Sequence, residues 1–246
     1  MPQAHLHFHD NLNDFLAPQR RNVIFSHWFE GAPSVKDMIE SLGVPHTEVA
    51  VITVNRVPVT FRYHVQHGDH IDVYSSCEQL NVAPEHSVRP PAPDEVRFVA
   101  DVHLGRLAAY LRMLGFDTLY PSDYRDEELA RISSDEARVL LTRDRGLLKR
   151  SIVVYGYYVR ETDPWRQLGE VLRRFDLIGV ILQFHRCTRC NTLLASVEKA
   201  SIEDHLTAET RKYYNDFRLC QQCGKIYWRG SHFERMDSFI EQLRQM

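Results

Sequence analysis

Two aspartates in this 246-residue chain stand where a predicted β-strand ends and a helix begins. Asp101 follows a short apolar run, and Asp144 follows the continuous apolar run of residues 138–142. Ligands of open parallel sheets bind beyond the carboxyl ends of the strands, so neighbouring strands would bring these two carboxylates together. Convergent carboxylates without histidine or cysteine suit a hard divalent cation, Mg²⁺ or Mn²⁺. Such a site activates water and stabilises the oxygens of an in-line phosphoryl displacement.

Two further aspartates, Asp123 and Asp126, lie between those strands, at or near a predicted helix start. Because they are three residues apart, they could instead be a helix cap and its first-turn partner. Asp101 could likewise only cap the helix that follows it. Cations that could hold a phosphate backbone flank these acids in sequence: Arg106, Arg112, Arg143, Arg145 and Lys149. The alternative for these arginines is a solvated helix face.

Four of the five cysteines form two C-x-x-C pairs: Cys187, Cys190, Cys220 and Cys223. Four thiolates match the ligand set of tetrahedral zinc, and metal binding supplies much of the folding energy of a small module. Because all four positions are filled, the pattern predicts a structural zinc site without an open catalytic position.

Aromatic residues alternate with cations directly after the second cysteine pair. Such a pattern suits stacking on unpaired bases together with phosphate contacts. We therefore predict that Trp228, Arg229 and His232 contact unpaired nucleic acid. The alternative is that Tyr227 and Trp228 fill the core of the zinc module.

The elements that would position the acids alternate strand and helix over residues 96–182. This order predicts an α/β domain, a parallel sheet covered by helices. After Asp101, apolar residues recur at the spacing of one helix face: Leu104, Leu107, Ala108, Leu111 and Leu114. Residues 183–246 are predicted to hold the zinc module and a final helix.

Residues 1–76 predict an α+β unit in the order strand, strand, helix, strand, strand, which is the order of a β-grasp. The segments VNRVPV and HGDHIDVY resemble the ubiquitin-like sulfur-carrier domains. Those carriers end in Gly-Gly, whereas the corresponding end here is Tyr74-Ser75-Ser76-Cys77, so we expect a docking or structural module and not sulfur transfer. Residues 77–95 contain four prolines and are predicted to be a linker.

Several segments are similar, in the same order, to the Mut-seven C-terminal RNase family: FVADVHLGRLAAYLRMLGFDTLY, DEELARIS, RVLLTRDRGLLKR, RCTRCN and CQQCGKIYWRGSH. The resemblance covers about residues 96–236 and implies a PIN-like nuclease with an attached zinc ribbon. It also implies that Asp101, Asp126 and Asp144 are the metal-binding acids. The acid that many PIN nucleases carry between the first two has no clear match, and Asp123 is the candidate substitute.

The chain is therefore predicted to be a ribonuclease that hydrolyses RNA with Mg²⁺ or Mn²⁺ and holds it by the zinc ribbon and basic residues. The rival is a non-catalytic RNA-binding or adaptor protein, and the N-terminal unit could bind a protein partner in either case. We expect no membrane segment, because no apolar run reaches the roughly 20 residues that a membrane helix needs. Paired cysteines and the absence of a secretory signal favour a cytoplasmic protein.

Overall fold

The structure is a computed structural model of residues 1–246 that describes every residue except 78–83, 92, 94, 121–122 and 246, and the side chain of His232. The chain forms two compact units, and each combines two separate segments. The first unit contains Met1–Asp94 and Arg125–Tyr158, and the second contains Glu95–Tyr124 and Val159–Met246. The predicted α/β segment 96–182 is therefore divided between the units.

The strands in the described part of the chain are β1 (Gln3–Phe8), β2 (Phe25–Trp28), β3 (Val51–Val54), β4 (Val57–Pro58), β5 (His70–Tyr74), β6 (Phe98–Ala100), β7 (Thr118–Leu119), β8 (Val139–Thr142), β9 (Gly156–Tyr158), β10 (Ala195–Val197), β11 (Phe217–Leu219) and β12 (Ile226–Trp228). The α-helices are α1 (Val35–Ser41), α2 (Gly105–Met113), α3 (Asp126–Asp135), α4 (Arg145–Leu148), α5 (Pro164–Arg174), α6 (Lys199–Ile202), α7 (Ala208–Tyr213) and α8 (Ser231–Gln245). Short 3-10 helices include Val102–Leu104 and His46–Glu48.

The N-terminal sheet of the first unit has the strand order β2-β1-β5-β3-β4. The central strands β1 and β5 are parallel, and the other pairs are antiparallel. Ser34 begins α1 by accepting a hydrogen bond from the Asp37 amide at 3.1 Å, as expected of a helix cap. Asn55 and Arg56 turn β3 into β4 with φ angles of 51° and 69°. The predicted order of strand, strand, helix, strand, strand is found, with the two-residue β4 as a further strand between β3 and β5.

The same unit contains α3, β8, α4 and β9, in which β8 and β9 pair in parallel. All four residues of β8 are buried, as a continuous apolar run predicts for a central strand. Contacts to the N-terminal segment join the two halves of the unit. The His46 Nε2 atom lies 2.9 Å from the Val153 carbonyl, and the Tyr158 amide donates to Glu48 at 2.7 Å.

Part of the predicted linker also packs on the N-terminal sheet. The Val88 amide donates to the Ala50 carbonyl at 2.8 Å, and the Arg89 guanidinium donates to the Glu48 carbonyl at 2.9 Å. Residues 78–83, 92 and 94 of that segment lie outside the described residues.

The second unit pairs β6 with β7 in parallel and covers them with α2 and α5. The predicted apolar face of α2 is buried, with Leu104 at 1% exposure and its other four members at 0%. Asp163 and Pro164 begin α5, and the Asp163 carboxylate accepts from two backbone amides of its first turn. Trp165 of α5 packs against Phe239 of α8 with ring centroids 5.0 Å apart.

The C-terminal part of this unit holds the antiparallel sheet β10-β11-β12 beside the four cysteines. The fold is thus mixed α/β, with an N-terminal sheet domain, parallel strands with helices, and a C-terminal cysteine cluster, as the sequence predicts. In the residues that the structure covers, every helix is too short or too polar to cross a bilayer.

Candidate functional site

Asp101 lies directly after β6 and is 6% exposed. Its Oδ1 atom accepts a hydrogen bond from the Val102 amide at 2.6 Å, so the side chain caps the 3-10 helix that follows. Capping therefore fixes the orientation of the Asp101 carboxylate.

Asp144 has the corresponding position after β8 and is exposed. Its Oδ1 atom accepts from the Gly146 amide at 2.6 Å and from the Leu147 amide at 3.4 Å. A Cβ atom at position 146 would lie 3.1 Å from this oxygen, so glycine leaves room for the close approach. Both strand-end aspartates thus have one carboxylate oxygen fixed by backbone amides.

Asp126 is the first residue of α3, and both it and Asp123 are exposed. The residue before the helix is Arg125, whose amide donates to Glu128 at 2.9 Å. Asp123 is therefore not the cap of α3, whereas Asp126 does lie in the first turn of that helix. Asp101 and Asp123 belong to the second unit and Asp126 and Asp144 to the first, so their convergence stays a prediction.

Arg112 is not on a solvated face, because it is 5% exposed. Its Nε atom donates to the Thr118 carbonyl at 2.7 Å, and Nη1 donates to the carbonyls of Thr188 and Arg189 at 3.2 and 2.9 Å. Burial lowers the pKa of this guanidinium, and negative neighbours oppose the shift. Arg112 therefore joins α2 to the first cysteine pair. The spacing of residues in the sequence did not reveal this structural role.

Arg145 and Lys149 contact the N-terminal segment within the first unit. Arg145 donates to the carbonyls of Phe15 and Asp14 at 3.0 and 3.2 Å, and its guanidinium lies 5.1 Å from the Phe15 ring centre. The Lys149 ammonium donates to the Glu40 carbonyl at 2.6 Å. Both head groups therefore have a structural role within the first unit. Arg106 is exposed and Arg143 is half-buried.

The four paired cysteines form one cluster, in which the sulfur atoms all lie within 4.8 Å of one another. Cys187 Sγ is 3.6 Å from Cys223 Sγ, and Cys190 Sγ is 3.4 Å from Cys220 Sγ. Sulfurs bound to one tetrahedral zinc ion at about 2.3 Å are separated by roughly 3.8 Å. The residues therefore fit zinc, and the cluster is compatible with a zinc site.

Tyr227 on β12 supports this cluster from one side. Its hydroxyl lies 3.0 Å from Cys187 Sγ and accepts from the Thr188 amide at 3.0 Å. Burial of Cys187 opposes ionisation, but hydrogen bonds from Tyr227 and from backbone amides outweigh it and lower the Cys187 pKa to about 6. Burial raises the pKa of Cys220 to about 12. One thiolate of the cluster is thus stabilised before metal binds.

The turn between α2 and β7 is tied to the first cysteine pair by side chains that the sequence did not single out. Asn191 donates to Asp117 at 2.8 Å and accepts from the Thr118 amide at 3.1 Å. Arg186 donates to the Gly115 carbonyl at 3.1 Å. These contacts join residues more than 70 positions apart, so no local pattern signals them.

A cavity of about 240 Å³ opens beside β12, one of the three strands β10–β12 that we call the ribbon strands. Its lining includes Phe184, Tyr227, Trp228, Phe233, Arg186 and Lys225. Trp228 remains 37% exposed, and the Arg229 guanidinium lies 5.8 and 5.6 Å from the ring centres of Phe184 and Phe233. Trp228 thus lines this cavity, and the Arg229 guanidinium lies beside two of the other aromatic rings that line it. The side chain of His232 lies outside the part of the structure that is described.

The N-terminal sheet, the parallel strands with helices and the cysteine cluster together define a multidomain α/β protein. Residues 96–240 match the Mut7-C RNAse domain, and residues 1–81 match the Mut7-C ubiquitin domain. The chain belongs to the Mut7-C RNAse domain family.

The chain is similar to "Exonuclease mut-7" of Caenorhabditis elegans, with 25% identity over 117 residues. The match covers 43% of this chain and 13% of that exonuclease, so the chain corresponds to a small part of the relative's length. No solved structure matches the chain.

Proposed function

We propose that this protein is a metal-dependent ribonuclease of PIN-like type that hydrolyses RNA phosphodiester bonds. The observation that carries the proposal is the shared position of Asp101 and Asp144 at strand ends in a chain of an RNAse family. Each carboxylate follows a buried strand, and each has one oxygen fixed by backbone amides. Preorganised carboxylates of this kind need little rearrangement when they bind a cation.

In this proposal Asp101, Asp126 and Asp144 hold Mg²⁺ or Mn²⁺, with Asp123 as the further acid. All four donors are carboxylates, which is the ligand chemistry that these hard cations prefer. When bound, the ion lowers the pKa of water and neutralises charge on the phosphoryl oxygens. The amides of Val102 and Gly146 keep the two strand-end carboxylates oriented, and Arg106 and Arg143 contact the phosphate backbone.

We propose that the ribbon cavity binds an unpaired base of the RNA, with zinc held by the four cysteines as a structural ion. Aromatic rings stack on bases of any sequence, and neighbouring cations contact phosphates. Trp228 provides an exposed ring, and Lys225 and Arg229 provide the cations. His232 stays a predicted contact of this surface.

The experiment is cleavage of labelled single-stranded and structured RNA by the full chain, with Mn²⁺ and with chelator. The test variant is Asp101→Asn/Asp144→Asn, which keeps capping groups at both positions. Asp176→Asn is the matched control, because Asp176 is exposed and has a φ of 51°, which asparagine tolerates. We expect metal-dependent cleavage by the wild type and the control and none by the double variant. Equal cleavage by all three would contradict the proposal.

The second candidate function is a non-catalytic RNA-binding or adaptor protein. The exposure of Asp123 and Asp126 favours this function. Asp101 is buried and its side chain is held by its surroundings, whereas Asp123 and Asp126 are exposed to solvent. If neither the wild type nor the variants cleave RNA, but Trp228→Ala weakens RNA binding, the adaptor function replaces the ribonuclease.

A further inference from the structure

The first strand of the N-terminal sheet presents histidines on one face. Side chains alternate between the two faces of a strand, so His5, His7 and His9 point away from Ala4, Leu6 and Phe8. The three apolar residues are 0%, 0% and 1% exposed and belong to the core of the N-terminal domain. The core therefore fixes the direction in which the histidines point.

The neighbouring strand β5 places a carboxylate among these histidines. The parallel register pairs His7 with Asp72. Asp72 Oδ1 lies 2.9 Å from His9 Nε2 and 3.4 Å from His7 Nδ1. The side chains of His7, His9 and Asp72 are 29%, 26% and 31% exposed, so all three are reachable from solvent yet partly held by their surroundings.

These separations match the requirement of a common metal ion. Nitrogen and oxygen ligands bound to tetrahedral zinc at about 2.0–2.1 Å lie roughly 3.3 Å apart. The two separations between histidine nitrogen and Asp72 oxygen, 2.9 and 3.4 Å, lie on either side of this value. The three ligand atoms, one from each residue, all lie within 4.8 Å of one another. Two imidazoles with one carboxylate suit Zn²⁺, and the imidazoles disfavour Mg²⁺.

One ligand is also held by an aromatic neighbour. The His9 ring stacks on Tyr74 of β5, with ring centroids 4.0 Å apart and 10° between the planes. A ligand whose orientation is fixed by packing loses less freedom when it binds a metal.

We propose that His7, His9 and Asp72 form a zinc-binding site on the N-terminal domain. Three protein ligands leave the fourth position of tetrahedral zinc open, so water or an external ligand completes the coordination. The site shares no residue with the acids or with the cysteine cluster, and it does not depend on the proposed ribonuclease function.

The test is calorimetric titration of Zn²⁺ into the full chain after the cysteine cluster has been loaded with one equivalent of zinc and free metal removed. The wild type is expected to bind one further equivalent, and His7→Ala/His9→Ala is expected to lose it. His5→Ala/His70→Ala is the matched control, because these rings stack on each other on the same two strands, outside the cluster. The control is expected to bind like the wild type.

A milder variant keeps the test decisive if the double alanine variant does not fold. Asp72→Asn preserves the shape of the side chain but removes its charge, and circular dichroism verifies the fold. We expect the zinc dissociation constant to rise at least about tenfold, since even supporting residues of metal sites cost 10–100-fold when lost. A folded Asp72→Asn protein with unchanged affinity, or a wild type without a further equivalent, would overturn the proposal.

Discussion

Asp144 caps α4 and, in the function proposed above, also binds the metal ion, and substitution can separate these two roles. Asparagine caps a helix about as well as aspartate, whereas alanine costs about 1 kcal/mol at such a position. We therefore predict that Asp144→Asn lowers metal-dependent RNA cleavage by about two orders of magnitude and leaves the free energy of unfolding nearly unchanged. Asp144→Ala should lower both. Urea unfolding and cleavage rates measure the two effects, and an active Asp144→Asn enzyme would remove this residue from the site.

Arg112 is the residue whose role differs most between sequence and structure. Its guanidinium donates to three backbone carbonyls, and its burial leaves little water to replace those bonds. We predict that Arg112→Met lowers the free energy of unfolding by about 2–3 kcal/mol, because buried acceptors lose their donor. The exposed Arg106→Met should stay within about 0.5 kcal/mol of the wild type. Equal stability of the two variants in urea would contradict the structural role.

At the level of elements, the ribbon strands β10–β12 have three residues each and lie beside the cysteine cluster. Small metal modules unfold when the metal is removed. We predict that a chelator, or Cys190→Ser/Cys223→Ser, increases amide hydrogen exchange in the ribbon and leaves the N-terminal sheet protected. Cys77→Ser is the matched control, since Cys77 lies outside the cluster. If the ribbon amides stay protected from exchange without metal, side-chain packing alone is sufficient to keep the ribbon folded, and the prediction is wrong.

The cluster also has an expected pH dependence. Burial of Cys187 opposes ionisation of its thiol, but hydrogen bonds to the thiolate outweigh burial and lower the Cys187 pKa to about 6. A lowered pKa stabilises the ionised form above that pH, and protonation competes with metal as the pH falls through it. Tyr227→Phe removes one of these bonds, so we predict that its zinc is released at a higher pH than in the wild type. A colorimetric zinc indicator measures the release, and identical profiles would contradict this role of Tyr227.

For the molecule as a whole, the first unit joins the N-terminal segment to residues 125–158. Lys149 contributes to this contact through the Glu40 carbonyl. We predict that Lys149→Ala lowers the free energy of unfolding by about 1–2 kcal/mol and leaves RNA affinity unchanged. Arg131→Ala, at an exposed position of the same unit, is the control for loss of a positive charge. A loss of RNA affinity in Lys149→Ala alone would return this residue to the RNA surface.

The sequence by itself determined the elements, because their signals are local. The apolar spacing of Leu104 to Leu114 placed α2, the buried run placed β8, and Asp163-Pro164 placed the start of α5. The spacing of the cysteines likewise predicted the cluster that the structure assembles.

Only the tertiary structure decided which partners the side chains have. Arg112 reaches carbonyls 76 and 77 residues away, and Arg145 reaches carbonyls 130 and 131 residues away. His7, His9 and Asp72 meet because two strands far apart in sequence pair in parallel with one particular register. Periodicity shows which face of an element is apolar. It does not show which distant segment covers that face, or which backbone carbonyl accepts a hydrogen bond from which cation. Those choices depend on packing of the whole chain.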